Sequence, residues 1–463
     1  MGYVAVRGGG RAIEESLALL EFERVMASEE VGTDAIRGLF PELIDQVMGE
    51  ASLFSPRLAA LALKQAQGSP DEAVFLLRAF RSTLERPFVS RPLDMGHMQV
   101  RRRISAAFKD VPGGQVLGST RDYSHRLLDF ALEVEDAGDL AAKRAALARH
   151  FDGTGEDAAR VSKEGAGKGF PEPSAPAVDS QGIADFAASV SRGERSSTDV
   201  FPEPSAPLSE GFPESPPPFP RVLDYLRAEG LVASCIPQDG NPVDATMAPL
   251  TFPAARSVRL QTLARGMTQA VEALGYAAIR GFGPSHPTVG ELRAGKAAVA
   301  IDHPLEVGDA DDAYYLGSIP VTEVESVFPV EASDSDDTGM AFDIGYGLVV
   351  GRAESKAIAM SVLDHCLEHG DARFPTEDEE FVLYHVDGVE ATGFISHLKL
   401  PHYVTFQSKL SSVRGSVEMA GEESRARDEG GMEAACEPSS DGGAHADDGN
   451  PVGSEEEFDG AAL

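Results

Sequence analysis

Apolar positions recur at helical spacing through most of the first 90 residues. "AIEESLALLEFERVM" at 12–26 repeats them every three or four residues, and 33–48 and 57–86 do the same, which predicts helices joined by short turns. "LAALALKQAQG" ends at Gly68, a fitting helix C-cap. "SPDEAVFLLRAFRSTLE" then restarts with Ser69 as N-cap, Pro70 in the first turn and two acids behind it. Ahead of these, "YVAVR" at 3–7 reads as a short strand running into three glycines at 8–10. A strand, a glycine turn and a helix start make either a simple tight turn or a backbone cradle for phosphate. Residues 101–134 change character: a basic run leads into the Pro-Gly-Gly turn of "KDVPGGQ", and "STRDYSHRLLDF" predicts a helix starting near Asp122.

The pattern fails between 151 and about 220. "FPEPSAP" stands at 170–176 and again at 201–207, with a degenerate "FPESPPP" at 212–218. Sequence this rich in Pro, Ser and Glu buries too little apolar area to offset the entropy of ordering it. It predicts a disordered insertion, or a docking tract for a partner that reads the repeated Phe. Period returns at about 221. A helix is expected over roughly 257–275, then a glycine-rich loop and a strand, further strands over 305–330, an acidic loop at 331–340, a strand in "AFDIGYGLVVG" and a helix in "ESKAIAMSVLDHCLEHG" ending at Gly370. After about 411 no period remains. The expected fold is α+β: a helical part at 1–150 packed on a mixed α/β part at 221–410, with a disordered acidic tail at 411–463.

Composition narrows the function classes. The formal net charge is -35, and from Ser411 onward 14 acids face 3 arginines, so the tail carries -11 and the rest -24. That balance excludes non-specific binding to nucleic-acid backbone. Arginine dominates the cations. An acidic, lysine-poor chain suits a salt-rich cytoplasm, where ions screen its self-repulsion, and a halophilic source is the expectation. No stretch approaches the roughly 20 apolar residues that span a bilayer, and the N-terminus lacks the layout of a signal peptide, so the expected location is the cytoplasm. Cys235, Cys366 and Cys436 have no paired spacing, which speaks against a disulfide framework and a cysteine-only zinc site.

Candidate chemistry concentrates in a few places. "SHLKLPHYV" places His397 and His402 five apart across Pro401. On an ideal helix they would not share a face, but the proline favours extended backbone before it and a turn would bring both imidazoles to one point. They are polar loop residues, two metal ligands short of the three or four a zinc site needs, or part of a phosphate site. His385 and Asp387 are candidates for a third ligand, as is a residue of another subunit.

The blocks "LAALALKQAQG", "RRISAAFKDVPGGQVLGSTRDYSHRLLDF", "GFGPSHPTVGELRAG", "GYGLVVGRAESKAIAM" and "DEEFVLYHVDGVEATGFISHLKLPHYV" occur in that order. Together they resemble the PhnI subunit of the bacterial carbon–phosphorus lyase core complex, over nearly all of the chain to about residue 410. The insertion and the tail depart from the family pattern. The resemblance implies an enzyme subunit that carries nucleosidase-like chemistry, a transferase. A phosphonate oxygen displaces adenine from C1′ of ATP, supplied with Mg2+, to give ribose 1-phosphonate 5-triphosphate. It implies the G, H and J subunits and the L protein as partners, and His397 and His402 as ligands of a zinc ion near the contact with J. The alternative is a non-catalytic scaffold that holds this zinc.

Displacement at a sugar C1 passes through an oxocarbenium-like state that carboxylates stabilise, and the purine leaves with a proton from a general acid. Asp122, His125 and Glu291 are the candidates for these catalytic roles. The triphosphate and phosphonate call for cations, and arginine binds them bidentately. Arg101, Lys109, Arg126, Arg280, His286 and Arg293 are the candidates, several of them beside glycine turns.

Overall fold

A computed structural model of the chain describes residues 9–26, 30–111, 113–164, 220–232, 242–282, 286–304, 313–331, 340–371, 373–400 and 402–433, with backbone alone at 151–164, 282 and 428–433. The expected strand at 3–7, the repeats at 170–218 and the end of the tail lie outside these residues.

The predicted helices of the first part form where the periodicity and caps place them. They are α1 (Gly9–Val25), α2 (Thr33–Leu39), α3 (Pro41–Ala51), α4 (Pro56–Gln65) and α5 (Pro70–Arg81). Ser69 Oγ accepts from the Glu72 amide at 3.4 Å, and Gly68 takes the left-handed φ of 88° that closes α4. Helices α2 to α5 bury Ile44, Val47, Met48, Leu63, Val74 and Leu77 against one another.

A strand that the sequence reading missed follows them. β1 (Gln99–Ile104) is the edge of a four-stranded antiparallel sheet, completed in chain order by β2 (Thr288–Asp302), β3 (Ala313–Glu331) and β4 (Met340–Val350). β1 joins β2 through a register shift between Val100 and Arg102. The chain's two halves therefore share one sheet. β1 escaped notice because "QVRRRI" carries three consecutive cations, a pattern that fits a solvated face until partners bury it. The expected helix near Asp122 is absent. Residues 119–129 run as turns and bends to a short 3-10 turn at Phe130–Val134, and α6 (Ala137–Glu164) follows, passing well beyond 151.

After α7 (Val222–Ala228), the helix expected over 257–275 is two: α8 (Arg256–Arg265) and α9 (Thr268–Ala277), divided at Gly266 and Met267. The Lys356 ammonium, buried in α10 (Glu354–His369), donates to the Ala264 and Gly266 carbonyls at 2.8 and 2.7 Å and so holds the end of α8. One face of the sheet, with Leu292, Val324 and Val349, packs on α8, α9, α10 and α11 (Glu379–His385) through Leu263, Val271, Met360, Leu363 and Val382. α10 ends at Gly370 as expected, with φ 48°.

Polar bolts join the helical part to this layer. Glu50 of α3 accepts from the Thr268 amide and hydroxyl, both at 2.8 Å, which caps α9, and Arg78 of α5 grips Asp387 through two bonds of 2.7 and 2.9 Å. Helix α12 (Gly388–Ser396) closes this body. A second unit begins at Ser396. It holds a 3-10 turn at His397–Lys399 and α13 (Tyr403–Glu433), so the tail expected to lack structure from 411 begins inside a helix.

Candidate functional site

Neighbouring residues on a strand point to opposite faces of the sheet, and this separates the basic cluster of β1. Arg102 turns to the face covered by α10. Its Nε donates to Glu354 at 2.7 Å, one Nη to the Leu117 carbonyl at 2.6 Å and the other to Asp122. Arg103 turns the other way and is fully buried, with Nε donating to Glu291 at 2.6 Å and its Nη atoms to the Gly114 and Pro220 carbonyls, both at 2.8 Å.

Glu291 is thus an interior counter-ion, whose second oxygen accepts the Val222 amide at 3.1 Å. Arg293 lies beside it on β2, buried and paired with Glu323. Arg221 closes the layer against Glu325, and the Tyr346 hydroxyl donates to Glu323 at 2.9 Å. Burial raises the Glu325 carboxyl to about 7, with Glu323 and Glu291 adding to the rise and Arg221 opposing it. Among the three expected catalytic residues, Asp122 belongs to the face of Arg102 and Glu291 to that of Arg103. The sheet divides them, and Glu291 and Arg293 are built into the interior.

The remaining expected residues are exposed. Lys109 stands on a loop folded back onto β1, where Gln115 bonds the Ser105 amide and carbonyl at 2.9 and 2.8 Å. Gly113 and Gly114 turn that loop with φ of 82° and 74°, and the Gly114 carbonyl is the one that receives Arg103. Asp122, His125 and Arg126 are exposed on the next loop, Arg126 with an unusual φ of 54°. Arg280 is exposed on a π-helical turn after α9, and His286 just before β2.

Arg101 has cationic neighbours. Burial and then the charge of Arg352 push its guanidinium down, and burial with Arg101 lowers the Lys296 ammonium to about 8. Arg352 also pairs with the buried carboxylate of Asp45 at 3.3 Å, so one edge of this cluster of cations already has a counter-ion. Lys296 and Arg352 were missed, since each stands alone in sequence.

In the second unit the rings of His397 and His402 meet edge to face, with centroids 5.6 Å apart. The Nδ1 of His402 lies 2.6 Å from the Leu400 carbonyl and donates to it, which leaves Nε2 as a ligand atom. Leu398, Val404 and Phe406 around the pair are exposed. The pair fits half of a zinc set. Among the described residues no third His, Cys, Asp or Glu joins it, and Asp387, one expected third ligand, is held by Arg78.

One group outside the expected sites was also missed. Asp343 of β4 and His365 and His369 of α10 bring their ligand atoms within 4.8 Å of one another. The signal was present in "HCLEH", two histidines four apart on a helix, but Asp343 lies too far off in sequence to be linked to them. The Cys366 thiol between them is buried and pushed up to about 12 by that burial.

Residues 2–419 match the family described as bacterial phosphonate metabolism protein (PhnI). The chain is 38% identical over 418 residues to the alpha-D-ribose 1-methylphosphonate 5-triphosphate synthase subunit PhnI of Escherichia coli (strain K12), which covers 89% of this chain and 97% of that one. It is 37% identical over 420 residues to the subunit of the same name from Rhizobium meliloti (strain 1021), covering 89% of this chain and 94% of that one. HtxH of Stutzerimonas stutzeri is 39% identical over 427 residues, 91% of this chain and 97% of its own. A family match over residues 2–419, with relatives this similar across most of the chain, establishes that the chain belongs to the PhnI family.

Proposed function

We propose that this chain is the subunit of a carbon–phosphorus lyase core complex that transfers the ribosyl 5-triphosphate of ATP to a phosphonate. The observation that carries this reading is the shared length: relatives named as subunits of the synthase of alpha-D-ribose 1-methylphosphonate 5-triphosphate match 89% of this chain. In the reaction the bond from C1′ to adenine breaks and a bond from C1′ to a phosphonate oxygen forms, while adenine leaves with a proton. Arg101 and Lys296 are the first candidates to hold the triphosphate, and exposed Lys109, Arg126, Arg280 and His286 are further candidate donors to it or to the phosphonate. Asp122 and His125 remain the candidates for charge stabilisation and proton transfer. Mg2+ enters with ATP.

His397 and His402 hold zinc, with the remaining ligands from the J subunit. Zinc bound there would supply a Lewis acid. Exposed apolar side chains support the assembly with G, H, J and the L protein: Ile13 and Leu17 on α1, Leu127, Leu128 and Phe130 on the loop before α6, and Val413 and Val417 on α13. No helix among the described residues is long and apolar enough to cross a membrane.

A second reading, the zinc-holding scaffold, is favoured by one observation: Glu291 and Arg293 are consumed in interior ion pairs, which leaves Asp122 and His125 on an open loop. The test is chromatography of adenine after the folded chain is incubated with MgATP, alone and with its partners and methylphosphonate. Slow adenine release by the chain alone is the expected result, redirected to the ribosyl phosphonate in the complex. Arg101→Ala or Lys109→Ala should weaken ATP use by about 1.5–3 kcal/mol, roughly ten- to a hundredfold. No adenine from demonstrably folded chain favours the scaffold.

A further inference from the structure

A histidine nitrogen buried without a hydrogen bond is costly, and His365 has one. Its side chain is 7% exposed, its ring stacks on Phe328 with centroids 3.7 Å apart, and its Nε2 has no hydrogen-bond partner. That nitrogen faces Asp343 Oδ2 at 3.4 Å, and His369 Nε2 faces the same oxygen at 3.3 Å. We propose that Asp343, His365 and His369 form a binding site for a divalent transition metal of the zinc class, separate from the His397–His402 pair.

Each ligand is prepared by its surroundings. The other oxygen of Asp343 accepts the Ile344 amide at 2.8 Å, which fixes the carboxylate with Oδ2 toward the two rings. His369 Nδ1 lies 3.0 Å from the His365 carbonyl and donates to it, so the lone pair is on Nε2, the atom that faces Asp343. The His369 lone pair, the unpartnered His365 nitrogen and a carboxylate oxygen converge here, an arrangement that a cation would draw together. With metal bonds of about 2.0–2.1 Å, the ligand atoms of a tetrahedral site are about 3.3–3.4 Å apart. The two observed edges have that length. The third, within 4.8 Å, closes by a swing of the His369 ring, which is half exposed.

The neighbouring acids are already engaged, Asp364 with Arg256 and Glu368 with Arg259, so they do not compete for the cation. The site lies at the C-terminal turn of α10, where the helix dipole favours positive charge. Two imidazoles and one carboxylate suit zinc, or cobalt in its place, and hard cations such as Mg2+ poorly. Three protein ligands leave a fourth position, which opens to solvent beside His369.

The experiment uses the full chain carrying His397→Ala and His402→Ala, stripped with chelator and dialysed against Zn2+ or Co2+. We expect one equivalent of zinc by elemental analysis, visible absorption typical of four-coordinate cobalt, and a Tm raised by the metal. Further replacement of the half-exposed His369 by Gln, or Asp343→Asn, which keeps the bond to the Ile344 amide, should leave the chain folded. Either should weaken zinc binding by more than about a hundredfold, beyond the 10–100-fold typical of a residue that only supports a ligand. A chain that binds no metal once His397 and His402 are gone overturns the proposal. So does binding that neither His369→Gln nor Asp343→Asn weakens.

Discussion

At the scale of the residue, the interior of the sheet sets Arg293 apart from Lys109, although both follow the same rule in sequence, a cation near a glycine. Arg293 is 1% exposed and its guanidinium pairs with Glu323, whereas Lys109 is exposed. Removing one partner of a buried pair leaves an uncompensated charge and costs about 3–5 kcal/mol. Arg293→Ala should therefore lower the urea midpoint of the chain sharply, and Lys109→Ala should leave it within about 0.5 kcal/mol of the parent. Equal midpoints for the two variants would mean that Arg293 belongs to the surface chemistry after all. Glu291 falls under the same argument. Its carboxylate is buried and takes the Arg103 guanidinium and the Val222 amide, which keeps it from a substrate at the surface.

At the scale of the element, α10 lies directly on β4 because two glycines of "IGYGL" allow it. A Cβ on Gly345 would run into the Ser361 carbonyl, and one on Gly347 into that of Ala357, both on the inner face of the helix. The same close approach sets His365 and His369 over Asp343. Gly347→Ala should push the helix outward at a cost of about 1–3 kcal/mol, read as a lower urea midpoint. It should weaken zinc binding at Asp343, His365 and His369 as well. A full-strength midpoint would show that the helix shifts without penalty. The face of β3 that carries Glu323 and Glu325 is polar, yet both are buried. It is buried because α7 and the loop after β1 cover it, with Arg293 of β2 as counter-ion to Glu323 and Arg221, just before α7, as counter-ion to Glu325.

At the scale of the whole molecule, the net charge of -35 sets the conditions under which the fold is stable. Self-repulsion of that size is screened over about 8–10 Å at ordinary ionic strength and over about 3 Å at 1 M salt. The midpoint of urea unfolding should rise steadily from dilute buffer to molar KCl. A midpoint indifferent to salt would sink the expectation of a halophilic source. Exposed apolar residues on α1, on the loop before α6 and on α13 are poorly placed in a solitary acidic chain, and they fit a protein that completes itself by assembly.

The helices of the first part, their caps at Ser69 and Gly68, the stop of α10 at Gly370 and, through the motif blocks, the family are all legible along the chain. These are local properties. A period of 3.6, a cap or an unbroken run of characteristic residues is complete within a short window. Which faces are covered follows from packing alone. β1 is a strand because β2 lies beside it, and Arg102 and Arg103, adjacent in sequence, serve opposite sides of the sheet. Arg101 gathers Lys296 and Arg352, and Asp343 meets two histidines more than twenty residues on, because the antiparallel register and the glycine contacts bring them together. Burial and charge pairing depend on neighbours distant along the chain, and no window of sequence contains them.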